Sequence, residues 1–102
     1  MKNKELLLLD DVALDLQRGQ QFYERIQAGI GDYFLDSLIA DIESLRLYAG
    51  IHSKHCRLYR MLAKRFPYAI YYDVSEQAII VIAVLDLRQN PKWIKQQLTR
   101  KQ

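Results

Sequence analysis

The spacing of hydrophobic positions changes period along this chain, and each change marks a new element. Glu5 to Leu9 is a short apolar run that meets Asp10-Asp11, two residues suited to helix capping, so it predicts a strand leading into a helix from about Val12. Val12, Leu16, Gly19, Phe22/Tyr23 and Ile26 recur at three- and four-residue steps on one face, leaving Asp15, Gln17, Arg18, Gln21 and Glu24 towards water. Gly29 and Gly31 end this helix. A second begins near Asp32, with Phe34, Leu38, Ile42 and Leu45 at the same spacing and Tyr33 and Ile39 at the edge of the stripe. Two such helices on a short turn make a hairpin whose apolar faces need a sheet or more helix to cover them.

Past Ala49-Gly50 the period falls to two. Arg57 to Arg65 reads as a strand with Leu58 and Leu62 on one face and Tyr59, Met61 and Ala63 on the other. Pro67 stands at the start of the next run, where it does least harm to a ladder, and Tyr68 to Val74 is rich in aromatic and β-branched residues. Ser75-Glu76-Gln77 supplies a hairpin connection, and Ala78 to Leu87, apolar on both faces, is the expected central strand. Asn90-Pro91 is a cap followed by proline at the first helical position, opening a short basic helix or frayed tail from Lys92 to about Thr99. The expected order is βααβββ(α): an α+β fold with an antiparallel sheet packed against a two-helix hairpin. With 102 residues the chain closes around one core, so a single domain over 1–102 is expected.

Composition narrows the class. Half of the residues are hydrophobic and 26% are charged, with 4 Gly and 2 Pro, the profile of a packed globule and not of a disordered chain. The longest apolar run, Ala78 to Leu85, is far short of the about twenty residues that cross a bilayer, so no membrane span is expected. The opening is basic, but its four leucines are too few for the apolar region of a secretory signal, which points to the cytoplasm. The lone Cys56 has no partner for an internal disulfide, as expected in a reducing compartment. The net charge of +3 conceals an asymmetry: residues 1–50 hold five Lys/Arg against nine Asp/Glu, and residues 51–102 hold ten against three. Such a bias suits a polyanionic partner, nucleic acid or an acidic protein segment, although a merely solvated basic face has the same composition.

Several motifs then coincide. Arg65-Phe-Pro-Tyr-Ala-Ile-Tyr-Tyr72, an apolar strand, and Arg88-Gln-Asn-Pro-Lys-Trp93 form a two-part signature, preceded by Phe22-Tyr23-Glu24 and by Gly31-x-x-Phe34. With these motifs, over roughly residues 6 to 95, the chain resembles the RelE/ParE superfamily of small bacterial toxins. The resemblance implies the toxin of a type II toxin–antitoxin (plasmid stabilisation, or addiction) module, neutralised by a cognate antitoxin whose disordered tail folds on the toxin. It also implies one of two targets: DNA gyrase in the ParE branch, or ribosome-bound mRNA in the RelE branch, whose members are endoribonucleases. A weakly toxic member acting mainly in antitoxin binding and autoregulation is a third possibility, and a homodimer is possible when the antitoxin is absent.

Metal-free RNA cleavage needs a proton acceptor, a proton donor and cations around one phosphate. Arg60 and Arg88 match the arginines that recur in the superfamily, and His55 and Tyr59 are the nearby proton-transfer candidates. Arg57, Lys64 and Arg65 add positive charge for a phosphate, and Lys92, Trp93 and Lys95 form a basic-aromatic tail able to dock on a target or an antitoxin. From Gln89 to Gln102 there is no Tyr or His, the residue types that the nuclease branch places in its tail, and the Arg-Gln-Asn-Pro-Lys-Trp ending leans towards the ParE branch. Whether the protein is an enzyme is therefore left open. Arg60 has a structural alternative, an ion pair with Asp73 or Asp86 across the sheet. Alternation turns Tyr71 to the opposite face from Tyr68 and Tyr72, which favours packing over a base-stacking platform for at least two of them. His52, His55 and Cys56 offer zinc-ligand chemistry but lack a fourth ligand, so neither a metal nor a cofactor is expected.

Overall fold

A computed structural model describes residues 4–101; the remainder of the basic opening and Gln102 lie outside the described residues. In chain order the elements are β1 (Glu5–Leu8), α1 (Asp10–Ile26), α2 (Ile30–Glu43), the single-turn α3 (Leu45–Tyr48), β2 (Lys54–His55), β3 (Leu58–Leu62), β4 (Tyr68–Val74), β5 (Ala78–Asp86) and α4 (Pro91–Arg100). The mixed α+β architecture matches the expected order. The sheet runs β1-β5-β4-β3-β2, antiparallel from β5 through β2. Two details differ from the sequence reading. β1 joins β5 in parallel, because the helical hairpin returns the chain to the far side of the sheet. β2 is an extra strand of two residues, too short to show a period.

The hairpin covers one face of the sheet. Val12, Leu16 and Tyr23 of α1 and Phe34, Leu38 and Ile42 of α2 pack with Met61, Tyr68, Ile70, Tyr72, Ile79, Val81 and Val84. On the other face Leu98 of α4, helped by Ile94, closes over Leu58, Ala69, Tyr71, Ala83 and Leu85. Tyr68 and Tyr72 thus serve one core and Tyr71 the other, as alternation requires. The tail is a helix, opened by Asn90 Oδ1 accepting the Lys92 N–H at 2.8 Å with Pro91 in the first turn. Its far end is tied down by Lys101, whose Nζ lies 3.5 Å from Asp15 Oδ2 and 3.5 Å from the Ile82 carbonyl. Asp15 also accepts the Val84 N–H at 3.1 Å, so it faces the sheet and not the water expected of it. Ile26, expected in the core, is 63% exposed at the last turn of α1.

The helix pair explains the upstream motifs physically. The Glu24 carboxylate accepts the Gly29 N–H at 2.9 Å and the Gly31 N–H at 2.9 Å, satisfying amide donors where α2 begins. Gly31 lies against the Gln20 carbonyl, and Phe34 lies over Gly19 and stacks on Tyr23 with ring centroids 5.2 Å apart.

The β2–β3 connection is strained. Cys56 and Arg57 are the two loop residues between the paired His55 and Leu58, with φ of 53° and 67°. This is the geometry of a tight hairpin turn that usually holds Asn-Gly, and left-handed backbone costs a side-chain-bearing residue about 1–2 kcal/mol. Arg57→Gly is accordingly expected to raise stability by about 0.5–1 kcal/mol, since glycine's greater unfolded-state entropy returns part of the gain. Chemical denaturation checks this, and an unchanged or lower midpoint would contradict the strain.

Candidate functional site

The basic candidates do not meet at one place: Arg60 shares clefts with Lys95 and with Lys64, while Arg88 lies apart from them. Arg88 lies just beyond β5, and its conformation is fixed from two sides. Its Nε donates to Asp86 Oδ1 at 2.9 Å and its Nη2 to Asp86 Oδ2 at 2.8 Å, while its backbone N–H donates to the same carboxylate at 2.9 Å. The guanidinium carbon sits 5.1 Å from the ring centre of Phe22 and 5.6 Å from that of Tyr23. Burial alone would raise the Asp86 carboxyl, but the hydrogen bonds and charge of Arg88 outweigh it and hold it below the usual carboxylate range. The same pairing holds the Arg88 guanidinium above its ordinary value. Asp86 is therefore the partner of Arg88 and not of Arg60: the chain turns directly after β5, and the Asp86 carboxylate that accepts the Arg88 N–H in that turn also receives its guanidinium.

Beside Arg88 a cleft of about 300 Å³ is lined by Arg18, Phe22, Arg25, Tyr68, Asp86 and Trp93, among others. Phe22 and Trp93 are 40% and 37% exposed. Arg18, Phe22 and Arg25 stand four and three residues apart, which places them on one stripe of α1. Apolar spacing alone hides this α1 contribution, since it sets Arg18 towards solvent and Phe22 on the core face; the basic-aromatic stripe is the signal that identifies it. The Tyr23 hydroxyl, buried beneath Arg88, has no hydrogen-bond partner among the described residues. Burial raises the Tyr68 phenol to about 12, aided by the Asp86 charge.

Arg60 lies on the opposite face. It is paired in register with Tyr71, and its side chain lies beside the Tyr71 hydroxyl. Tyr71 is buried under α4, and that burial raises its phenol against the opposing effect of Arg60. Around Arg60 a cleft of about 400 Å³ also brings together His55, Cys56, Tyr71 and Lys95. The ion pair expected between Arg60 and Asp73 or Asp86 is absent among the described residues: Asp86 stands opposite Tyr68, at the far end of β4.

Tyr59 points to the hairpin side, stacked on Tyr72 at 5.2 Å with Lys54 above it at 4.8 Å. Alternation separates it from Arg60, its neighbour in sequence. His52 is bonded through Nδ1 to the Tyr72 hydroxyl, which also accepts the Gly50 N–H at 2.9 Å, and desolvation holds the imidazole below its ordinary value. The His55 Nε2 lies 3.3 Å from Ser53 Oγ, so the two histidines engage different partners. Arg57 is exposed at the hairpin tip and Arg65 in the loop before β4. The Lys64 N–H donates to Asp41 at 3.0 Å beside a groove of about 630 Å³ that His52 and Arg60 also line, and Lys92 lies on the outer side of α4, where Lys95 lines both that surface and the Arg60 cleft. Among the described residues no group of three or more His, Cys, Asp or Glu is placed to hold a metal ion, and no helix is long and apolar enough to cross a membrane.

The fold and the two clefts can be set beside known proteins. No family model matches the sequence, and no curated protein does. Among solved structures, a chain of the chromosomal ParDE toxin–antitoxin system from P. aeruginosa superposes with a TM-score of 0.76 at 15% identity, over 82% of this chain and 96% of that one. The protein has a ParE-like fold.

Proposed function

We propose that the chain is a ParE-like toxin of a type II toxin–antitoxin module, of the plasmid-stabilisation kind, neutralised by a small cognate antitoxin. In this reading it acts in the cytoplasm by binding DNA gyrase and catalyses no reaction of its own. The observation that carries it is the separation of Arg60 from Arg88. One arginine lies under α4 and the other against α1, so they cannot hold the same phosphate, and Tyr59 is turned away from both His55 and Arg60. The cleft beside Arg88 is suited to docking: the Asp86 carboxylate at its edge is already neutralised by Arg88, while Phe22, Trp93, Arg18 and Arg25 offer aromatic surface and positive charge. Its likeness in fold to a ParDE chain supports the same assignment.

One observation favours a second reading. His55, Arg60 and Lys95 share a cleft with Tyr71, which joins an imidazole, a residue type suited to acid–base work, with two basic side chains. That is the place where a RelE-like ribosome-dependent mRNA endoribonuclease would work. The two readings separate in a bacterial host when DNA and protein synthesis are followed by pulse labelling after induced expression. The expected result is that DNA synthesis falls first and that the purified chain impairs gyrase supercoiling. A prior fall in protein synthesis, abolished by Arg60→Ala in a folded variant, would replace the gyrase reading with the nuclease one. No fall in either would leave antitoxin binding and autoregulation as the activity.

A further inference from the structure

β1 is the outermost strand of the sheet, and among the described residues nothing pairs with its outer edge. Exposed edges are usually blunted by charge, proline or a bulge, and Leu6 to Leu9 contains none of these. Leu7, Leu8 and Leu9 are 44%, 45% and 39% exposed, and Leu14, one turn into α1, is 49% exposed. This apolar edge lies apart from both clefts described above and is independent of the toxin reading.

The hydrogen-bond directions along β1 restrict what can pair with it. The N–H groups of Glu5 and Leu9 donate inward, to the Gln77 and Val81 carbonyls, each at 3.0 Å. Backbone groups alternate in direction along a strand, so Leu7 also faces β5, while the N–H and C=O of Leu6 and Leu8 point outward. An antiparallel newcomer must therefore present two outward-pointing residues at the spacing of Leu6 and Leu8. A second copy of β1 does so about a two-fold axis through Leu7. Leu6 then exchanges both hydrogen bonds with Leu8 of the second copy, and Leu8 with Leu6. Leu7 faces its own counterpart, and Lys4 falls opposite Asp10 at each end. Among the described residues the flanking charges of opposite sign meet in this register: centring on Leu6 puts Lys4 opposite Leu8, and centring on Leu8 puts Asp10 opposite Leu6. Lys4 uses one ammonium donor on the Ser75 carbonyl at 2.7 Å, which leaves two for this contact.

We propose that the free protein self-associates through β1, forming an isologous dimer with a continuous ten-stranded sheet. The contact is one strand and its flanking leucines, so the dimer forms with rising concentration and is not obligate. Sedimentation velocity on the whole chain, with no partner protein present, is expected to show a monomer–dimer equilibrium that Leu8→Lys shifts to monomer. The register has its own readout. Leu7 and its counterpart form a non-hydrogen-bonded pair with Cα atoms about 4.5 Å apart, within reach of a disulfide. In a Cys56→Ser background, Leu7→Cys should oxidise to a covalent dimer roughly tenfold faster than Leu8→Cys or Leu9→Cys, whose opposite residues are Leu6 and Glu5. A wild-type monomer at every concentration overturns the dimer. Equal cross-linking at the three positions overturns the β1 pairing, and fastest cross-linking at Leu8 overturns the register.

Discussion

Gly31→Ala is expected to cost about 3 kcal/mol of stability, a large part of the roughly 5–15 kcal/mol that holds a domain folded. A Cβ at Gly31 would lie 2.6 Å from the Gln20 carbonyl oxygen and 2.8 Å from Glu24 Cβ, both anchored in α1, so relief requires the helices to move apart. Separation would also pull the Glu24 carboxylate off the Gly29 and Gly31 amides and loosen Phe34 from the Tyr23 ring. Gly19→Ala meets the Phe34 ring at 2.4 Å; the ring belongs to a side chain, but it is wholly buried and has little room to turn, so a loss of about 2 kcal/mol follows. Gly29→Ala is the contrast. Nothing lies within 4 Å of its added Cβ, and only its φ of 93° opposes the substitution, at about 1–2 kcal/mol. Denaturant midpoints for the three variants should fall in that order. If Gly29→Ala proved the most damaging, backbone conformation and not helix approach would be what these glycines provide.

The same residues show where the chain is legible and where it is not. Periodicity places α1, α2, β4 and β5 because their apolar stripes are repeated over many residues, and alternation alone assigns Tyr68 and Tyr72 to one core and Tyr71 to the other. Apolar spacing does not encode strand direction, so the parallel pairing of β1 emerges only when the hairpin's return path is known. Two-residue β2 carries no period at all. Asp15 looks like a solvent residue because its neighbours on the helix are polar, yet β1 ends before the second half of β5 and leaves the Val84 N–H for a side chain to satisfy. At the clefts the limit is different: Arg88 stands past the end of a strand, where alternation no longer fixes direction, so its separation from Arg60 cannot be read from spacing. The Asp86–Arg88 pair is invisible for the same reason, and spacing across the sheet points Asp86 to Arg60 instead.

Raising the pH from 10 towards 12 is expected to destabilise the protein through its buried tyrosines. Burial is the main cause in each: it raises the phenols of Tyr23, Tyr71 and Tyr72 and takes Tyr68 to about 12, where the Asp86 carboxylate adds to the effect and Arg88 opposes it. An unfolded tyrosine ionises near its ordinary value of 10.0, so in this window the unfolded chain gives up a proton that the folded chain retains. The stabilisation from the neutral phenol is thus fully present below pH 10 and is lost as the pH rises through the folded value. Tyr68 alone contributes about 2 kcal/mol to the loss, allowing for solvent screening at the margin of its cleft, and the other three add to it in the same direction. Denaturation midpoints should therefore drop between pH 10 and pH 12, with tyrosinate absorbance appearing together with unfolding for these residues. Tyr68→Phe separates the cause from a general alkaline effect: it removes this proton from the linkage, so its stability should fall less steeply with pH than that of the unaltered protein. Equal slopes would mean that the Tyr68 phenol ionises in the folded state as readily as in the unfolded one, and that burial against Gly19 and Phe34 does not hold it neutral.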